Sequence, residues 1–280
     1  VRSSAASDVY KRQGQTTLIH GLVGPYGIAF DIAGGEMYWT DGNQDNDTGD
    51  IRRASLDGTS PQVLIHPFFP VAIALDPAAG KMYWIQHFQQ NEPKGLDIHR
   101  ANLDGTANET LVHTPVQIGN GSLALDVAGG RMYWTDFNDG LIRRANLDGS
   151  NPTTLTSGQN FPLGVSLDLP HGKMYWTDSH YGNNGQGGDI RRANLDGTGQ
   201  ETVLGTLPGP DGLALDLAAG KMYWTDGFGN DIRVANLDGS AQQTLVRGLN
   251  NPAGIALIPE PSGVSLLGVA GCALIGRRRR

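Results

Sequence analysis

Four short runs, each with apolar side chains at alternate positions, follow one another along the chain and then begin again. A period of two marks strands with one face buried, and glycine or Asp-Gly between such runs marks tight turns. The first run is small and apolar and ends in Asp, at 27–31, 71–76, 122–126, 164–168 and 212–216. A glycine hairpin such as Ala78-Ala79-Gly80-Lys81 leads into the second, which contains Met-Tyr-Trp. The third run spans 51–56, 98–103, 142–147, 190–195 and 232–237. An Asp-Gly turn then opens the fourth, at 62–65, 109–112, 153–156, 201–204 and 243–246. The five tryptophans, Trp39, Trp84, Trp134, Trp176 and Trp224, stand 45, 50, 42 and 48 residues apart, one per repeat. A period in that range with four antiparallel strands per unit predicts an all-β propeller.

Two linked signatures recur in these units. Met-Tyr-Trp-Thr-Asp stands at 37–41, 132–136, 174–178 and 222–226, and as Met-Tyr-Trp-Ile-Gln at 82–86. Ile-Arg-Arg-Ala-Asn-Leu-Asp-Gly, or a close variant, follows in each unit. Together they resemble the low-density-lipoprotein-receptor class B (YWTD) repeat over residues 14–258. The resemblance implies a six-bladed propeller with five complete four-stranded blades and a sixth split between the termini. Residues 254–258 are then its first strand, and residues 14–19, which align with 199–204, its fourth. Its two middle strands are expected in a missing N-terminal part, leaving a gap in blade six.

The strand period places Met and Trp on one face of a blade and Tyr on the other. Both faces pack on neighbouring blades, so Tyr38, Trp39, Tyr83, Trp84, Tyr133, Trp134, Tyr175, Trp176, Tyr223 and Trp224 are expected in the core. Asp41, Asp136, Asp178 and Asp226 are expected to pair within their blades with Arg52, Arg143, Arg191 and Arg233. Blade two loses both partners, to Gln86 and His99.

The two ends differ from this body. Residues 3–13, SSAASDVYKRQ, resemble a translated sequencing adapter, so residues 1–13 are set apart as an artefact. At 259–280, Pro259-Glu260-Pro261 precedes the apolar run 262–276 and Arg277, Arg278, Arg279 and Arg280. This resembles the PEP-CTERM sorting signal of bacterial surface proteins. It implies an apolar helix that inserts transiently in the membrane, processing by an exosortase-type enzyme, and an exported protein whose signal peptide went with the missing N-terminus. As a helix the run spans roughly 22 Å, short of a bilayer core of about 30 Å.

Charge narrows the choice of partner. Between residues 14 and 258 stand 14 Lys and Arg against 26 Asp and Glu, a net of −12, which repels phosphate backbones and argues against nucleic acid. Cys272 is the only cysteine, so no internal disulfide forms.

Function is expected in loops that differ between blades. The loops between second and third strands are long at 42–50, 87–97 and 179–189 and short around Asn138 and Gly229. His87, Phe88, Gln89, Asn138, His180, Tyr181 and Phe228 are the candidate binding-face residues. Asp41, Asn43, Asp45, Asp47 and Asp50 alternate oxygen ligands as calcium loops do, although Asn46 and Arg52 break the EF-hand pattern. No other cofactor is expected. Common catalytic motifs are missing from the sequence, and the seven histidines lack a zinc spacing. The expected function is an exported, non-catalytic module that binds an unknown protein or polysaccharide at the cell surface or in the extracellular matrix. The alternative is a metal-dependent, lactonase- or lyase-like propeller enzyme with its site on the central channel.

Overall fold

The structure, a computed structural model, describes residues 17–43, 47–88, 95–114, 121–180, 187–258 and 266–269. Its strands run in chain order as β1 (Pro25–Asp31), β2 (Glu36–Asn43), β3 (Thr48–Ser55), β4 (Gln62–Ile65), β5 (Pro70–Asp76), β6 (Lys81–Phe88), β7 (Gly95–Asn102) and β8 (Glu109–Thr114). Next come β9 (Leu123–Asp126), β10 (Arg131–Asp136), β11 (Leu141–Asn146), β12 (Thr153–Thr156), β13 (Pro162–Asp168), β14 (Lys173–Ser179), β15 (Gly188–Asn194) and β16 (Glu201–Leu204). The last are β17 (Pro210–Asp216), β18 (Lys221–Asp226), β19 (Asp231–Asn236), β20 (Gln243–Arg247), β21 (Ile255–Ile258) and β22 (Leu266–Val269). The first twenty form five four-stranded antiparallel sheets in simple sequence order, while β21 and β22 pair alone.

The first strand of each sheet packs on the first strand of the next, from β1 through β5, β9, β13 and β17 to β21, and β21 returns to β1. Small residues permit this closeness. A Cβ on Gly164 would sit 2.6 Å from Leu213 N, and one on Gly254 would overlap the Tyr26 carbonyl. The inner strands thus form a closed ring around a channel, which removes the inner edges from intermolecular pairing.

Between neighbouring sheets lies the core, made of the second strands. Eight of the ten repeat aromatics are at most 2 % exposed; Trp39 is 3 % exposed and Tyr223 is half-buried. Each such ring buries about 150–250 Å², several kcal/mol at ~25 cal/mol per Å². Tyr223 is less covered because blade five faces the two-stranded sheet.

A threonine ties the ring together. Thr177 Oγ1 accepts the Gly164 N–H at 2.8 Å within its own blade and donates to the Asp211 carbonyl of the next. Thr135 does the same for Ser122 and Leu163, and Thr225 for Gly212 and Ala253. The arginine that precedes the alanine of the third strand adds another tie: Arg100, Arg144 and Arg192 donate to the carbonyls of Leu147, Leu195 and Leu237 in the following blade. In blade five Val234 stands at that position, where the neighbouring sheet has no third strand among the described residues.

Three expectations change. The apolar helix expected over 262–276 is not what 266–269 adopt; they form β22, antiparallel to β21. Four glycines in that run weaken a helix already marginal in length, and the edge of β21 offers ladder bonds instead. The fourth strand expected at 14–19 is not formed by residues 17–19, which carry no strand pairing. A fourth strand needs a third to pair with, and none stands beside β22 among the described residues. Ile19 and Leu22 instead pack on Met37, Trp39 and Ala54 of blade one. The expected gap is therefore partly filled: β22 lies beside β21 in a two-stranded sheet. Residues 1–16, Pro259, Glu260, Pro261 and Arg277–Arg280 lie outside the described residues.

Candidate binding face

Strand direction alternates within each blade, so the ends of second and fourth strands and the starts of first and third strands share one face. That face holds the expected binding loops. The long loops begin as ladder: Asn43 is paired with Thr48, and Phe88 with Gly95. This extension stiffens their bases and carries the loops outward. Gln89, Tyr181, Asp45 and Asn46 lie outside the described residues.

Aromatic side chains gather here. Tyr26 meets Phe69 edge-on at 5.3 Å, and Phe69 meets His87 at 5.0 Å, making a row across blades one and two. Phe137 packs on Phe161 at 4.8 Å across blades three and four. Phe228 lies over Gly209, where any Cβ would strike its ring. Phe68 and Phe228 are 45 % and 47 % exposed, large for phenylalanine. Phe68 and Phe69, on the connection from blade one to blade two, were missed by a reading that looked only within blades.

Charged groups ring the same face. Arg52, Arg191 and Arg233 lie 3.7, 3.6 and 3.7 Å from Asp41, Asp178 and Asp226, the expected partners. Each lies nearer to a carboxylate two residues earlier on its own strand: Asp50 at 2.5 Å, Asp189 at 3.3 Å and Asp231 at 2.8 Å. Residues two apart on a strand share a face, so the recurring Asp-Ile-Arg was the available signal. Blade three has Leu141 at that place, and there Arg143 reaches Asp136 directly at 3.2 Å. The strand-two aspartates chiefly anchor backbone: Asp41 Oδ1 accepts from Val23 and Gly24, Asp178 Oδ1 from Asn160 and Phe161, and Asp226 Oδ1 from Gly229. Burial raises the pKa of Asp136, Asp178 and Asp226, outweighing their arginines.

Histidines complete the outer rim. His66 Nδ1 lies 2.7 Å from Asp50 and His113 Nδ1 2.7 Å from Asp97, while His180 is 3.9 Å from Asp189. Desolvation raises Asp97, but bonds from His99 and His113 overcome it and leave its carboxyl below the usual range. Asp41 and Asp50 of the expected calcium loop are thus committed to backbone, Arg52 and His66. Among the described residues no three acidic, histidine or cysteine side chains form a metal-binding group.

At the axis the inner strands line a cavity of about 410 Å³. Its walls are small and aliphatic side chains and strand backbone, with Tyr26, Ser122, Ser166 and Asp211 as the polar members. Asp211 is the one charged side chain in the lining among the described residues.

Residues 220–258 match the model for the low-density lipoprotein receptor repeat class B. The fold is a β-propeller. Among solved structures, a chain of a nidogen–laminin complex is 24 % identical at a TM-score of 0.66, covering 80 % of each chain. A gluconolactonase from Xanthomonas campestris is 17 % identical at 0.68, covering 91 % of this chain and 86 % of its own. An auxiliary nutrient binding protein from Bacteroides thetaiotaomicron is 12 % identical at 0.67, covering 89 % and 69 %. No curated protein matches the chain. These propellers include a member of a protein complex and an enzyme, so the likeness carries architecture and not chemistry.

Proposed function

We propose that this chain is an exported, non-catalytic, six-bladed propeller that binds a protein or glycan at a bacterial cell surface or in the extracellular matrix. The observation that carries this reading is the exposed, non-repeating aromatic set on the loop face, above all Phe68 and Phe228. Rigid aromatic side chains supply contact area at low entropic cost, and loops held on a stiff scaffold are where recognition concentrates. In this reading β21 and β22 are the inner half of blade six. Export and exosortase processing rest on the likeness of 259–280 to a sorting signal.

The gluconolactonase likeness favours a second reading, a metal-dependent lactonase- or lyase-like enzyme. That chemistry asks for several carboxylates, amides or imidazoles converging on the channel, whereas among the described residues Asp211 alone contributes a charge there. Binding therefore accounts for more of the surface.

The test compares the chain with a Phe68→Ser/Phe228→Ser variant, both immobilised and exposed to bacterial envelope and secreted material, with calcium and with chelator. A protein or polysaccharide held by the first and lost by the second is expected. Equal retention by both, or by neither, would sink the proposal. Loss on chelation would bring calcium at Asp41, Asn43, Asp45, Asp47 and Asp50 into the binding reading.

A further inference from the structure

The repeat supplies its own control for deciding which residues are scaffold. At one level of the channel each inner segment contributes one residue: Tyr26, Val71, Gly121, Leu163, Asp211 and Ala253. Their equivalence is set by the backbone. The residues that follow Tyr26, Gly121, Leu163 and Asp211 donate their N–H to a strand-two threonine, and the carbonyls of Leu163, Asp211 and Ala253 receive a threonine hydroxyl. Five of the six positions carry no charge, so neither strand geometry nor blade packing asks for a carboxylate at the sixth. This level lies at the start of the inner strands, hence toward the loop face.

The carboxylate of Asp211 has neither a hydrogen bond nor an ion pair among the described residues, and burial alone lifts its pKa to about 7. Part of the residue still borders the cavity. Holding an unpaired carboxylate beside aliphatic walls is costly, and a cation placed against it removes that cost. Each inner strand is the edge of its sheet, so backbone polar groups border the same space. A cavity of about 410 Å³ falls within the range that holds small ligands, about 300–1,000 Å³.

We propose that the channel mouth on the loop face binds a small organic ammonium ion, its charged head on Asp211 and its apolar body within the ring of Val71, Leu163 and Ala253. A divalent metal fits less well, since calcium takes six to eight oxygens and one carboxylate stands here. The site is independent of the outer aromatic surface and of any macromolecular partner.

The probes are benzylammonium and the neutral benzyl alcohol, titrated into the chain, Asp211→Asn and Asp211→Leu by calorimetry. Leucine already occupies the equivalent place in blade four, which makes the second variant a control against misfolding. At about pH 8, benzylammonium is expected to bind at least ~10-fold more tightly than the alcohol, and both variants to bring it down to the alcohol's level. Lowering the pH to about 6 should weaken it by about tenfold, because the carboxyl then holds its proton on most molecules. Equal binding of both probes, undiminished binding by Asp211→Leu, no saturable binding, or displacement of the amine by stoichiometric calcium would each overturn the proposal. Partner capture on the loop face is read by a different assay, so either idea can fail alone.

Discussion

Trp84 donates its indole N–H to Gln86 Oε1 at 2.9 Å, and His99 stacks on the same indole at 5.2 Å. Blade two has thus exchanged the Asp and Arg of its sister blades for two groups that satisfy and cover its tryptophan. In blades one, three and five the indole N–H of Trp39, Trp134 and Trp224 is buried without a hydrogen-bond partner among the described residues. Gln86→Leu is therefore expected to cost about 1–3 kcal/mol, read as a lower urea midpoint with an unchanged slope. An unaltered midpoint would show that Trp84 finds another acceptor.

The aspartates that end the second strands are not equivalent. Asp226→Asn keeps an acceptor for Gly229 and leaves Arg233 its closer partner Asp231. Asp136→Asn takes from Arg143 its nearest carboxylate and leaves Asp139 at 3.7 Å. The melting temperature is expected to drop more for Asp136→Asn than for Asp226→Asn, with a difference on the order of 1 kcal/mol. The reverse order would refute the division of labour drawn from the distances.

The threonine ties can be removed with little change of shape. Thr177→Val leaves the Gly164 N–H and the Asp211 carbonyl short of a partner at a blade seam. A loss of about 1–3 kcal/mol is expected in denaturant unfolding. Blade two already carries Ile85 at this place, so a loss near zero would mean that packing alone holds such a seam.

Asp211 makes stability depend on pH. Its folded pKa of about 7 lies above the unfolded value, so the folded state binds the proton more tightly. Its contribution is most favourable at low pH and declines as pH rises from about 4 through about 7. Asp211→Leu should accordingly raise the melting temperature at about pH 8, with the gain fading toward about pH 4. A gain independent of pH would point to packing and not charge.

Ring closure rests on one glycine at the last seam. A side chain on Gly254 would overlap the Tyr26 carbonyl, so Gly254→Val is expected to push β21 off β1. Protease cleavage near residues 250–260 and lower thermal stability should follow. A variant as resistant as the parent would show that the seam yields without breaking.

Blade architecture was legible because strand period, Asp-Gly turns and one tryptophan per unit agree. The ion pairs were half legible. The four expected pairs are present, but Asp-Ile-Arg recurs as plainly as Trp-Thr-Asp and supplies the nearer carboxylates of Asp50, Asp189 and Asp231, which the familiar motif left out. Thr135, Thr177 and Thr225 looked like filler because their second bond crosses to another blade, and a one-dimensional pattern does not show which carbonyl lies opposite. The tail misled for a different reason: a short apolar run reads equally well as helix or strand until a free edge is known to stand beside it. Asp211 was visible only once the six inner segments could be laid level.

The threonine bonds all point one way around the ring, from Thr135 to Leu163, from Thr177 to Asp211 and from Thr225 to Ala253. Each donor belongs to the earlier blade and each acceptor to the later. During synthesis, a blade in this series therefore has its own strands before it has its last bond, which waits for the short connection that follows its fourth strand and reaches Leu163, Asp211 or Ala253. These three bonds are fastened in the order in which the chain is made, and the last of them waits for Ala253.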